Sequence, residues 1–218
     1  MITSTEMTSS KTTKAIISSL ANAQHISEPY DYWLLEDVLP EADCDAIAAL
    51  PFAPPGARLF DGRREANNSA RAYFSCEFQS RFDVCAAVAA AFDAPSVRSA
   101  AEQLTGTSLT NGRLRIEYCQ DGDGFWLEPH VDIQVKLFTM LVHLADSPDL
   151  YDAGTDIYDD SPEHNLVATA PCAWNTGLIF IPGRNTWHGF TPRPILGIRK
   201  SLIINYVSPE WRAVEELA

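Results

Sequence analysis

His130 and Asp132 stand two residues apart in Glu128-Pro129-His130-Val131-Asp132. On an extended segment that spacing turns an imidazole and a carboxylate to one face, where both can reach one metal ion. A second histidine, His188, follows far downstream in Asn185-Thr186-Trp187-His188-Gly189-Phe190. Two histidines and one carboxylate form a facial triad suited to Fe(II), with positions left open for a co-substrate and oxygen. Alone, such a pattern also arises by chance, with His130 as an ordinary surface residue. Arg199 lies eleven residues beyond His188, and Ser201 shares its strand face. A guanidinium and a hydroxyl aimed into one space can hold a carboxylate, the guanidinium through a bidentate charge-assisted pair. The plain alternative is an exposed arginine on a surface strand. It leaves the charged lead-in to the apolar run Leu202-Ile203-Ile204 unexplained.

In this order and spacing, His130-x-Asp132, His188 and Arg199-x-Ser201 resemble the 2-oxoglutarate/Fe(II)-dependent dioxygenases, nearest to their prolyl-hydroxylase-like branch. Tyr118 with Gly122 and Gly124, the Gly154-Thr155-Asp156 turn, and Gly177-Leu178-Ile179-Phe180 extend the likeness, which spans roughly residues 114–207. The resemblance implies a double-stranded β-helix (jelly roll) with Fe(II) at its open end. It implies His130, Asp132 and His188 as iron ligands, and Arg199, helped by Ser201, as the seat of the 2-oxoglutarate 5-carboxylate. Turnover in such enzymes consumes O2, releases succinate and CO2, and oxidises a substrate C–H bond. Tyr118 matches a tyrosine that lines the co-substrate pocket, with packing beneath the sheet as the rival reading. His143 falls where relatives often place a tyrosine on the 5-carboxylate, with an ordinary core histidine as the rival. The halogenating relatives lack the carboxylate ligand, so Asp132 favours hydroxylation.

Other chemistry-bearing residues read more plainly. His25 and His164 have no partner at ligand spacing. Trp126 and Trp187 flank the metal motif, either as a pocket floor or as packing. Arg58, Arg63, Arg64 and Arg71, with Asn67 and Asn68, crowd a long Pro/Gly-rich loop between Ala53 and Cys76, either solvated or a lid over the site. Asp156, Asp159, Asp160 and Glu163 read as a solvated turn.

The elements that must position these groups are short strands. Leu114–Cys119, Val135–Leu144, Leu178–Ile181 and Ser201–Val207 carry strand patterns separated by Gly, Pro, Asp and Asn. Ahead of them, helices are expected after Pro40, over Arg81–Phe92, and over Ala94–Leu104 with Asp93 as its cap and Gly106 past its end. Ser/Thr-rich residues 1–28 read as a flexible segment with a short helix near Lys14–Ala23, and 29–218 as one domain with a β-core over about 108–210. The fold class is α+β, a β-helix core with packing helices from the N-terminal half.

Composition sets outer bounds. The 29 acidic against 16 basic residues give a net charge of −13, which disfavours nucleic acid as a partner. Five cysteines without a CxxC pair read as reduced thiols in a cytoplasmic chain, and no stretch suits a signal peptide or a membrane span. The expected substrate is a small molecule or a peptide or protein residue. A cupin-like metal-binding module is the competing reading, and a zinc hydrolase built on the same triad a weaker third.

Overall fold

The computed structural model describes residues 4–53, 62 and 71–218. Two antiparallel sheets face each other. The larger has the order β1-β2-β9-β6-β11-β4-β3 and the smaller β5-β10-β7-β8. Its central strands are β4 (Arg113–Asp121), β6 (Lys136–Leu144), β9 (Trp174–Phe180) and β11 (Arg199–Val207). The smaller sheet comprises β5 (Leu127–His130), β7 (Asp156–Tyr158), β8 (Leu166–Thr169) and β10 (His188–Phe190). This is the expected α+β jelly-roll arrangement.

Alternation along the central strands divides the large sheet into two chemistries. Leu114, Ile116 and Tyr118 of β4, Met140 and Val142 of β6, and Leu202, Ile204 and Tyr206 of β11 join the main apolar core. That core also takes Cys85, Val88 and Phe92 of α4 (Asp83–Asp93), and Val97 and Ala101 of α5 (Pro95–Thr105). The other face looks across to the small sheet; it is polar along most of β4 and β11 and apolar around Leu141, Leu178 and Phe180, which pack on Ile157.

Three expectations need correction. The helix expected near Lys14–Ala23 is present but begins earlier, so residues 1–28 are not a loose lead where they are described. Ser4–Ala21 is helix α1, and Thr12, Ile16 and Leu20, spaced four apart on one face, are buried. The Thr12 hydroxyl also donates to Asp43 at 2.6 Å. A stripe this narrow is diluted by the Ser/Thr content around it. The β-core, secondly, reaches back before residue 108. The strands β1 (Gln24–Ile26) and β2 (Tyr32–Leu35) extend one edge of the large sheet, and β3 (Arg71–Tyr73) the other. At three or four residues, these strands are too short to show a period.

Thirdly, the helix boundaries differ: the helix expected over Arg81–Phe92 is α4, which begins at Asp83, and Arg81 ends a separate helix, α3 (Cys76–Arg81). Asp93 ends α4 rather than capping α5, which opens with Pro95 at its first turn. The helix after Pro40 is α2 (Glu41–Ala48), and Gly106 closes α5 at φ 71° as expected. No helix among the described residues is long and apolar enough to cross a membrane.

Candidate functional site

The small sheet brings the two histidines together. In the β10–β5 pairing His188 lies opposite His130, and their ring centroids are 4.4 Å apart. Close approach of these strands needs Gly189, where a Cβ would meet the Leu127 carbonyl oxygen at 2.7 Å. Asp132, just past β5, completes the set: one ligand atom from each of His130, Asp132 and His188 lies within 4.8 Å of the others.

The hydrogen bonds around these groups suit a divalent cation. Nδ1 of His130 lies 2.9 Å from the Glu128 carbonyl, and Nδ1 of His188 lies 2.9 Å from the Thr186 carbonyl. A carbonyl accepts only, so each Nδ1 carries the proton and Nε2 keeps the lone pair a metal requires. Burial, then the neighbouring His130, pushes His188 down to about 3, so it stays neutral. Thr139 Oγ1 donates to Asp132 Oδ2 at 2.7 Å and accepts from Asn205 Nδ2 at 2.9 Å, which fixes the direction of its proton. The Lys136 ammonium lies on Asp132 Oδ1 as a buried countercharge.

Asp156 holds the β10 end of the site. It is fully buried rather than part of a solvated turn. Burial alone would raise its pKa. Bonds from Arg193 (2.6 Å), the Thr191 N–H (2.6 Å) and Thr169 (2.7 Å) outweigh burial and hold it below the usual carboxylate range. Asp159, by contrast, does organise a turn, through Ser161 and Asn165.

A cavity between the sheets runs from the triad to Arg199 and Ser201, with Thr139, Leu141, Ile203 and Phe190 along its walls. Arg199 and Ser201 share the inner face of β11 as expected. Arg199 is already engaged, however: Nη1 donates to Asp121 at 2.6 Å and Nε to the Ala153 carbonyl at 2.7 Å. Ser201 Oγ is buried with no hydrogen-bond partner among the described residues. An orphaned hydroxyl beside a buried guanidinium fits a bound carboxylate.

His143 also faces inward, in register with Ser201, but it does not line the cavity. Burial first, and the Arg199 charge second, pull it down to about 3, so its imidazole is neutral; neither ring nitrogen has a hydrogen-bond partner among the described residues. Tyr118 is not brought to the site. It points to the helix-covered face, where its ring lies 5.9 Å from Phe52. The polar residues of β4 (Arg115, Glu117 and Asp121) occupy the inner phase instead.

Trp187 packs at the rim, its ring 3.7 Å from that of His164 and its Nε1 donating to Asp160 at 2.8 Å. Trp126 lies against Gly62, where a Cβ would meet its ring at 2.1 Å. Neither lines the cavity. His25 pairs with Asp31. Arg58, Arg63, Arg64, Asn67 and Asn68 lie outside the described residues, whereas Arg71 is the first residue of β3 and lines the cavity. Asp121 and Lys136 are site residues the sequence reading missed. Phase alone would have placed Asp121 beside Glu117, but only cross-strand register opposes it to Arg199.

No family model matches the sequence, and a search of curated proteins returns no match. Solved structures do match. A prolyl-4-hydroxylase from Pseudomonas putida superposes with a TM-score of 0.58 at 16% identity, covering 90% of this chain and 98% of that one. A prolyl hydroxylase from Trichoplax adhaerens, solved with a hypoxia inducible factor peptide, gives 0.56 at 12% identity, covering 93% and 91%. The alpha-ketoglutarate-dependent epimerase SnoN from nogalamycin biosynthesis gives 0.54 at 14% identity, covering 90% and 83%. These likenesses establish a shared fold.

Proposed function

We propose that this chain, which has the fold of the prolyl-hydroxylase-like 2-oxoglutarate oxygenases, is an Fe(II)- and 2-oxoglutarate-dependent dioxygenase that hydroxylates a small molecule or a peptide or protein residue. One observation carries the reading: the triad His130, Asp132 and His188 and the carboxylate-binding pair Arg199 and Ser201 line the same cavity. When bound, Fe(II) with 2-oxoglutarate and O2 supplies the oxidising power, and succinate and CO2 leave.

The chain's own residues set up that chemistry. The Glu128 and Thr186 carbonyls hold both imidazoles in the metal-binding tautomer. Thr139, aligned by Asn205, orients the Asp132 carboxylate. Arg199 and Ser201 hold the distal carboxylate of the co-substrate. Leu141, Ile203, Phe125 and Phe190 wall the cavity with apolar surface and limit water near the reacting groups. The Trichoplax neighbour was solved with a peptide, which supports keeping peptides among the substrate classes.

A second reading, a metal-binding module without turnover, is favoured by the Asp121 carboxylate resting on Arg199. One experiment separates the two. Anaerobic addition of Fe(II) and then 2-oxoglutarate should produce a visible metal-to-ligand charge-transfer band. Metal binding without that band, and without succinate formed in air over a substrate panel, would leave the module.

A further inference from the structure

Four inner-face side chains form one transverse row across the large sheet. Arg71 of β3 stands opposite Cys119 of β4, Cys119 opposite Ser201 of β11, and Ser201 opposite His143 of β6. Three of the four carry buried polar atoms without hydrogen-bond partners among the described residues: Arg71 Nε, Ser201 Oγ and both ring nitrogens of His143. Buried orphans are few in native proteins, and three in one row mark a place where a polar ligand is missing.

We infer that Arg71 is a second guanidinium of the carboxylate seat, sharing the distal carboxylate of the co-substrate with Ser201 and Arg199. The inference rests on the reading under Proposed function and adds a residue to that site. Three observations converge on Arg71. Its side chain is 6% exposed and lines the cavity that holds the triad. Its Nη1 is spent on Glu117 and on Cys119 Sγ, while Nε, on another edge of the fork, has no hydrogen-bond partner among the described residues. A guanidinium edge of that kind meets a carboxylate side-on.

Charge supplies the reason for a second cation. Asp121 neutralises Arg199 through its 2.6 Å bond, and a carboxylate placed beside that pair would meet a like charge. Arg71 also feels the field of Asp121. Arg71 is itself paired with Glu117, but Glu117 is shared with Arg115, so a second guanidinium near Asp121 leaves the seat less anionic than Arg199 and Asp121 alone. Spacing agrees. Thr139, which bonds the triad carboxylate, and His143, in the Arg71 row, lie four residues apart on β6. At about 3.4 Å per residue that is about 14 Å, enough for a metal and an extended five-carbon diacid between them.

The test measures binding of two keto acids to the full chain loaded with Fe(II) under anaerobic conditions, by the charge-transfer band and by calorimetry. One is 2-oxoglutarate; the other is 2-oxopentanoate, which has the same chelating end and no distal carboxylate. Arg71→Gln should weaken 2-oxoglutarate by about tenfold to a hundredfold, the loss of one or two charge-assisted bonds. It should leave 2-oxopentanoate and Fe(II) affinities within about twofold, and Arg71→Lys should fall between. Glu117 keeps its Arg115 partner in these variants, so the interior stays paired. If Arg71→Gln does not fold, Arg71→Lys is judged by the same selective loss.

Unchanged 2-oxoglutarate binding in the folded variant overturns the inference, as does an equal loss for both keto acids, which would make Arg71 structural. If the parent binds Fe(II) but neither keto acid, the functional reading fails, and this inference with it.

Discussion

The two faces of the large sheet are built from the same strands and do opposite work. On the outer face Ile116, Met140, Leu202 and Ile204 pack against the helices, each 0–1% exposed. On the inner face, one residue along in each strand, Arg115 and Glu117, Thr139, Ser201 and Asn205 are buried just as deeply but satisfied mostly by each other. Burial therefore does not tell the faces apart. What differs along β4 and β11 is the source of stabilisation: apolar area outside, paired charges and hydrogen bonds inside, while the apolar part of the inner face gathers around Leu141, Leu178 and Phe180.

The sharpest way to break this comparison starts on the outer face. Ile204→Ala should cost about 2–5 kcal/mol, as a cavity among Ile116, Met140 and the helices. Urea denaturation reads the loss, and the folded protein should bind Fe(II) as tightly as the parent. A fall in metal affinity would show that the faces are not separable.

The inner face should respond the other way. Thr139→Val removes the donor that orients Asp132 while preserving shape. Metal affinity should drop by about 10–100-fold, the usual effect of losing a partner of a ligand. The stability change should stay near about 1 kcal/mol. A stability loss like that of Ile204→Ala would place Thr139 among the residues that hold the fold.

The smallest effect, taken over one pH unit, is a pH dependence. Folded His143 titrates at about 3 against an ordinary value near 6.5, so below about pH 6.5 the unfolded chain takes up a proton that the folded chain refuses. Stability should therefore decline as pH falls from about 6.5 toward 3, by about 1 kcal/mol per pH unit from this group. His188 adds to the same limb. His143→Leu should flatten that decline in melts between about pH 6.5 and 4. An unaltered pH profile would mean that the imidazole is protonated in the folded state.

The comparison also explains which parts of the site could be read from the chain. Thr139, Leu141 and His143, and likewise Arg199 and Ser201, share a face as a two-residue period demands. Tyr118 was expected at the pocket and lies behind the sheet. Its strand alternates as read, but both faces are buried, so periodicity separates the two sets without saying which one looks inward. Arg115 and Glu117 hold the cavity side because paired charges satisfy each other there, whereas the helices cover Tyr118 with apolar contacts.

Residue types and spacing were therefore enough to bring His130, Asp132 and His188, and Arg199 with Ser201, forward as candidates and to read β4, β6, β9 and β11, whereas β5 and β10, which carry the two histidines, are too short to show a period. Pairing across the sheet was beyond that reach. The Asp121 carboxylate on Arg199, the Lys136 ammonium on Asp132 and the place of Arg71 at the cavity wall depend on strand register and loop closure. Those are set by the packing of distant segments, and no local pattern encodes them.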